Sequence, residues 1–276
     1  MIKKSILICI SLFLLYNYIF VPIFIRDDSP VAQSQWQENI IKAQDYLYLP
    51  VNSNAIIVGS SLSADLKDST WYNLSFLGGS LFTGLELIKL KRNYPKVILI
   101  ETNVIYRGID SEITSTINQS PFNKLKYIFP AFLEKGQPIK YLGALLYSCV
   151  EKNPYIIHTE PDSSLFNKYL KLQVEANSTL TNKVTIDRNI TLLRSYLKFF
   201  DEHHVKIFLV EMPIHSTLFQ TINESYRRKE LFKAFPISGY NWIIPNSLSN
   251  YQTTDGVHLS EKSVKEFKQE IMNTIK

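Results

Sequence analysis

Two stretches of this chain, "KVILIETN" (Lys96–Asn103) and "VKIFLVEMP" (Val205–Pro213), are nearly unbroken runs of apolar β-formers. A strand with one wet face alternates apolar and polar residues, whereas a strand apolar on both sides must be covered on both. Each run follows a segment with helical spacing. Before the first, Leu81, Leu85, Ile88 and Leu90 recur within Gly79–Asn93, with Lys89, Lys91 and Arg92 at the end that favours cations. Before the second, Asp187 stands as a helix cap ahead of Ile190, Leu193, Leu197 and Phe200. "NAIIVG" (Asn54–Gly59), "TWYNLSF" (Thr70–Phe76) and "YNWIIP" (Tyr240–Pro245) read as three more strands, and Ser260–Lys276 as a closing amphipathic helix. This alternation predicts an α/β chain with a five-stranded parallel sheet and helices on both faces. Sites in such sheets lie beyond the carboxyl ends of the strands.

The N-terminus adds a separate constraint. From Ser5 to Ile25 there is no charged residue, and as a helix this run spans about 31 Å, enough to cross a bilayer core. Lys3 and Lys4 precede it, while Arg26, Asp27 and Asp28 follow. That bias predicts a transmembrane anchor with the N-terminus in the cytoplasm and the body outside. A cleaved signal peptide is the rival reading, but it calls for a shorter apolar core and a small-x-small cleavage site. Pro22 would kink such a span without preventing it. The expected organisation is an anchor at 1–27, a polar, helical tether at 28–51 and a folded domain at 52–276. Residues 109–185 break the strand–helix alternation and are rich in aromatics and lysines. They read as a mostly helical insertion, serving either packing or as a lid or a surface for lipid or polymer.

Composition narrows the partners. A net charge of +5 over 276 residues is mild, and no arginine-rich run or stacking-aromatic motif points to nucleic acid. It suits an anionic membrane surface or polymer. Cys9 and Cys149 are far apart, so neither a disulfide framework nor a cysteine metal site is expected. No three histidines and carboxylates have metal-ligand spacing, so no metal and no cofactor are called for. The sequons at Asn118 and Asn189 read as chance in an Asn-rich chain.

The strand ends carry the chemistry. After the first stands Gly59-Ser60-Ser61-Leu62, after the second Asn73 through Gly78 and Gly79, and after the third Glu101-Thr102-Asn103. The fourth runs into Glu211 through His215, and "TTDGVHLS" with Asp255 and His258 precedes the last helix. A serine hydroxyl needs a base to take its proton, and a histidine oriented by a carboxylate supplies one. Asp255 and His258 on one tight turn can do this. The oxyanion then needs fixed donors, for which the Ser61 N–H, Gly78 and the Asn103 amide stand in place. His215 on the same rim is either an ordinary loop histidine or a contact to an acyl or sugar substrate. His203 and His204 end a helix and are given no role, and Ser63 reads as a cap of a following helix.

In order and approximate spacing Gly59-Ser60-Ser61-Leu62, Gly78 five residues after Asn73, Asn103, and Asp255-x-x-His258 resemble the four blocks of SGNH (GDSL-type) hydrolases over residues 52–276. The resemblance implies a flavodoxin-like three-layer α/β/α fold and acyl-ester hydrolysis or acyl transfer. It makes Ser61 the nucleophile, with His258 and Asp255 completing a triad, and puts Ser60 where the family usually holds its acidic residue. With the anchor, the chain is similar to proteins that O-acetylate exopolysaccharides or take part in D-alanylation of teichoic acids. That implies a single-pass bacterial membrane protein with its catalytic domain outside the cytoplasm. Its substrate would be an acylated glycan or acyl donor, and its partner a membrane-bound O-acyltransferase. One departure stands out: the third block usually has a glycine where this chain has Glu101. Glu101 and Asn103 point to one face of an extended strand, so a carboxylate would oppose the oxyanion unless a cation such as Arg107 holds it or the strand bends. This feature favours the alternative, an inactive SGNH-fold protein that binds glycan or scaffolds an acylation pathway. A lipase-like enzyme with the insertion as its lid is a third possibility.

Overall fold

A computed structural model describes residues 2–25, 34–51, 53–117, 122–150, 163–180 and 183–275. Residues 28–33 of the tether, the sequon at Asn118, and His158 fall outside the described residues. The chain divides into two compact units, one of residues 1–50 and 111–156 and the other of residues 51–110 and 157–276.

The larger unit is an α/β fold built on β1 (Ala55–Gly59), β2 (Tyr72–Ser75), β3 (Val97–Glu101), β4 (Lys206–Val210) and β5 (Asn241–Ile243). All pairs are parallel and the order is β2-β1-β3-β4-β5, the arrangement of flavodoxin-like sheets. Ile57, Leu99 and Phe208 lie in one register across the three central strands. With Val210 they form a core with Phe267 and Ile271 of the closing helix Glu261–Ile275. Successive strand residues face opposite ways, so Val58 meets the other layer. There the helix Leu81–Lys91 brings Gly84 so close that an added Cβ would sit 2.8 Å from Val58 Cγ1. Both faces are thus covered, which is why these strands carry no polar stripe.

The helix before β4 runs Lys183–Glu202 and buries Ile190, Leu193, Leu197 and Phe200 on one side. It begins four residues before Asp187, so that residue is no cap; its carboxylate accepts the Tyr226 hydroxyl at 2.8 Å. Ser63 caps no helix either. The chain after β1 makes a compact non-helical turn through residues 61–65, and Ser63 is fully buried in it.

The smaller unit contains a continuous apolar helix, Ile2–Phe24, long enough to cross a membrane. It widens into a π turn at Tyr16–Phe20, just ahead of Pro22. Proline offers no N–H and crowds the preceding turn, and the wider turn accommodates it without breaking the helix. The helix Gln35–Tyr48 starts at Ser34, whose hydroxyl accepts from the Gln37 N–H at 3.2 Å. Helices Ser111–Ile117, Phe122–Lys126 and Pro138–Val150 complete this unit, with 3₁₀ turns at Pro130–Phe132 and Glu134–Gly136. The helix Ser163–Asn177 belongs instead to the sheet unit.

Candidate active site

Glycine ends β1 for a steric reason. A Cβ on Gly59 would fall 2.3 Å from Ser63 Oγ and 2.6 Å from Glu101 Oε2. The space it leaves lets Glu101 reach from the end of β3 beneath the following turn. Glu101 Oε2 accepts from the Ser60 N–H at 2.6 Å, the Ser60 hydroxyl at 2.7 Å and the Ser63 hydroxyl at 3.3 Å. Its Oε1 accepts from the Val104 N–H at 3.2 Å. The carboxylate is therefore held by the turn itself, neither by Arg107 nor by a bend of β3. Arg107 is exposed, with its guanidinium over the Tyr106 ring at 5.8 Å. Ser63 also meets the Ser75 hydroxyl of β2 at 2.9 Å.

Of the three serines after β1, Ser60 and Ser63 are fully buried in this web and Ser61 is not. The Ser61 hydroxyl lies 2.9 Å from His258 Nε2, and His258 Nδ1 lies 2.7 Å from Asp255 Oδ2. The other carboxylate oxygen of Asp255 accepts the backbone N–H groups of Val257 and His258 at 3.0 and 2.8 Å. Those bonds fix the carboxylate, which in turn fixes the ring. Gly256 sits between them with φ +99, a conformation that suits glycine. The turn is closed by the Thr254 N–H on the His258 carbonyl at 2.8 Å and by pairing of Thr253 with Leu259.

The charges follow from the geometry. Burial is the largest influence on His258 and works against its charged form, but the Asp255 hydrogen bond and charge outweigh it, with Asp65 and Glu101 adding to them. The ring is held above its ordinary value of 6.5. Burial likewise pushes Asp255 up, yet its bonds to His258 and the turn N–H groups bring it below the ordinary 3.8. Nδ1 donates to the carboxylate, which leaves Nε2 as the basic nitrogen facing Ser61.

Asn103 follows β3 and is buried. Its Oδ1 accepts the Met212 N–H at 2.7 Å and its Nδ2 donates to the Met212 carbonyl at 3.0 Å. One amide proton remains. Asn103, Ser61 and His258 border a single cavity of about 130 Å³. The Ser61 N–H makes no hydrogen bond among the described residues. Ser61 follows β1 and Asn103 follows β3, so the cavity opens where the strand order reverses, the usual place for a site in such a sheet.

Two expected residues stand elsewhere. Gly78 has φ +66 and is exposed after β2, and it is not among the residues bordering the cavity. His215 accepts the Thr217 N–H on its own Nδ1 at 3.3 Å, packs against Phe166 and lines a different hollow. Glu211, also at a strand end, is buried between Arg227 and Arg228 at 3.1 and 2.7 Å. Sequence reasoning missed Tyr106, Gln173 and Asn177, which border the Ser61 cavity. Tyr106 lies past the strand-end window, and no spacing rule could bring the helix Ser163–Asn177 to this rim. Among the described residues, no group of three His, Cys, Asp or Glu side chains could hold a metal ion.

Neither family models nor curated sequences compared with the chain match it. Solved structures similar at low identity include the following two. One, described as a "putative acylhydrolase" from Bacteroides fragilis, has a TM-score of 0.45 at 11% identity, covering 88% of this chain and 98% of its own. The other, described as a "putative platelet activating factor" from Streptococcus pneumonia, has a TM-score of 0.37 at 14% identity, covering 87% and 92%.

Proposed function

We propose that the chain is a membrane-anchored serine acyl-esterase or O-acyltransferase of SGNH type, acting outside a bacterial cytoplasm on acyl esters of envelope polysaccharide. The observation that carries this reading is the unbroken line of hydrogen bonds from Ser61 through His258 to Asp255, ending in a cavity. In this reading Ser61 Oγ attacks the ester carbonyl while His258 Nε2 takes its proton. Asp255 keeps the Nδ1 proton in place and stabilises the imidazolium. The Ser61 N–H and the remaining Asn103 amide proton hold the oxyanion, and the Gly78 N–H joins them if the turn after β2 closes on substrate.

Collapse of the tetrahedral species breaks the ester C–O bond, and His258 returns the proton to the departing alcohol. Water or a sugar hydroxyl then attacks the acyl-enzyme with His258 again as base, regenerating Ser61. The cavity suits a short acyl group. The sequence pattern supports the anchor and its outward orientation, and by analogy a membrane-bound O-acyltransferase as partner. The position of Glu101 also bears on the rival, non-catalytic reading. Its carboxylate is turned toward Ser60, Ser63 and Val104, which weakens the main support of that reading.

The full chain in detergent, given an O-acetylated polysaccharide, should release acetate or pass it to an added oligosaccharide. Ser61→Ala should abolish both. Equal turnover by that variant would refute the reading.

A further inference from the structure

The smaller unit holds an unusual pairing of irregular backbone with an apolar helix. Tyr16, on the helix Ile2–Phe24, donates its hydroxyl to the Gly136 carbonyl at 2.8 Å. Asn17 is fully buried, and its Oδ1 accepts the Ala131 N–H at 2.9 Å while its Nδ2 returns to the Phe13 carbonyl. Tyr18 donates to the Ile128 carbonyl at 3.3 Å, and Tyr141 donates to the Phe24 carbonyl at 3.3 Å. Phe13 packs on Phe129 and Phe132, and Phe20 on Tyr141. The polar side chains of the apolar helix thus satisfy backbone groups of the 3₁₀ turns between residues 128 and 136. Inside a bilayer, irregular backbone is tolerated only when its polar groups are satisfied in this way.

Depth gives the same answer. If Lys3 and Lys4 mark one interface, Tyr16 lies about 18 Å along the helix from Lys4. A hydrocarbon core is about 30 Å thick, so Tyr16 and its partners fall within the opposite leaflet rather than beyond it. The charges of the segment are segregated accordingly. Glu134 is buried, in contact with Gln37 and Lys140, and Lys135 pairs with Asp45 at 2.9 Å. Those partners, apart from Lys140, come from the helix Gln35–Tyr48. Ile139, Leu142 and Leu146, three and four residues apart on the helix Pro138–Val150, share one face at 76%, 56% and 69% exposure, and Tyr127 and Ile128 are also bare. Among the described residues of 122–150, Lys124 is exposed and the Lys140 side chain is 41% exposed, and such long side chains can reach the headgroups.

We propose that residues 122–150 are embedded in the leaflet opposite the N-terminus, forming a collar on the anchor with Ile139, Leu142 and Leu146 against lipid acyl chains. This rests on the reading of Ile2–Phe24 as a span. It makes the attachment a broad apolar footprint rather than a single helix on a leash.

The test uses the full chain with Cys9→Ala and Cys149→Ala, reconstituted in phosphatidylcholine–phosphatidylglycerol vesicles. A nitrobenzoxadiazole probe is attached in turn to Ile139→Cys, Leu142→Cys, Ile10→Cys in the apolar helix, and Lys262→Cys in the sheet unit. Nitroxide lipids should quench the probe at Ile139 and Leu142 about as strongly as at Ile10 and several-fold more than at Lys262, and aqueous iodide should show the reverse order. Lipid quenching at Ile10 alone, with iodide reaching Leu142, would keep the anchor and overturn the collar. Protection of Leu142 from both quenchers would mean that protein covers the face, and would also overturn it. No lipid quenching at Ile10 would bring down the anchor reading and the collar with it.

Discussion

Glu101 lies beneath the turn that presents Ser61, taking the Ser60 N–H and hydroxyl at 2.6 and 2.7 Å. The carboxylate is a strut of the turn that carries Ser61. The expectation is that one carboxylate is needed at this spot and that an acid at either position can supply it. Glu101→Gly orphans buried donors, and Ser60→Asp sets a second carboxylate against the first. Each single change should destabilise the chain by about 2–4 kcal/mol. The double variant should recover at least about 1 kcal/mol of their sum, as coupled neighbours do. Thermal unfolding of the four proteins in detergent measures this, and strict additivity would show that the two residues act separately.

In the proposed reading Asn103 has two roles, one toward Met212 and one toward the oxyanion. Asn103→Ala leaves the buried Met212 N–H and carbonyl unpaired, costing about 1–3 kcal/mol of stability. It should also slow ester turnover by about 10²–10³ if the free amide proton binds the oxyanion. Asn103→Asp keeps an acceptor for the Met212 N–H but offers the oxyanion only negative charge. Its turnover should therefore fall at least as far, and because it also sets an oxygen against the Met212 carbonyl and buries a charge, its stability should fall too, which steady-state kinetics beside unfolding curves would reveal.

His258 must be neutral to accept the Ser61 proton, and Asp255 holds it above 6.5. Serine reactivity should therefore rise with pH through a single ionisation lying above 6.5. Asp255→Asn should move that ionisation down and slow the reaction by about 10³–10⁴. Stability carries the opposite sign. A raised histidine stabilises the fold below its ordinary value and stops doing so as pH climbs through the raised one. The lowered carboxylate stabilises above its ordinary value and stops as pH falls through the lowered one. The pair thus contributes most between 3.8 and 6.5. Unfolding followed across pH, with His258→Gln as reference, should show the difference between the two proteins largest in that window.

Gly59 is fixed by the atoms around it. Gly59→Ala would thrust a methyl group among Ser63 Oγ and the Glu101 side chain, and overpacking of this kind costs about 1–3 kcal/mol. Because the displaced carboxylate supports the Ser61 turn, serine reactivity should fall as well. A fall in thermal midpoint with unchanged reactivity would mean that the turn tolerates movement of Glu101.

Much of this was legible in the chain because a buried parallel strand leaves a plain trace. Ile57, Leu99 and Phe208 sit in runs with no polar stripe, so the sheet and its strand ends could be found. The Asp255–His258 turn was visible because both groups lie within one turn of sequence. The role of Glu101 was not, since the side chain reaches a turn 41 residues earlier, and only the clearance at Gly59 shows where it goes. The displacement of His215 into another hollow has a similar cause. A rim position is set by the strand, but the direction of the ring is set by its own bond to the Thr217 N–H. Asp187 misled because a good capping residue is also acceptable one turn inside a helix.

The most direct measurement is the reaction of the full chain with a fluorophosphonate, followed by mapping of the modified peptide. The account predicts one label, on Ser61, lost in His258→Ala while that variant remains folded. A folded protein that takes no label, or one whose Ser61 reacts as fast without His258, would contradict it.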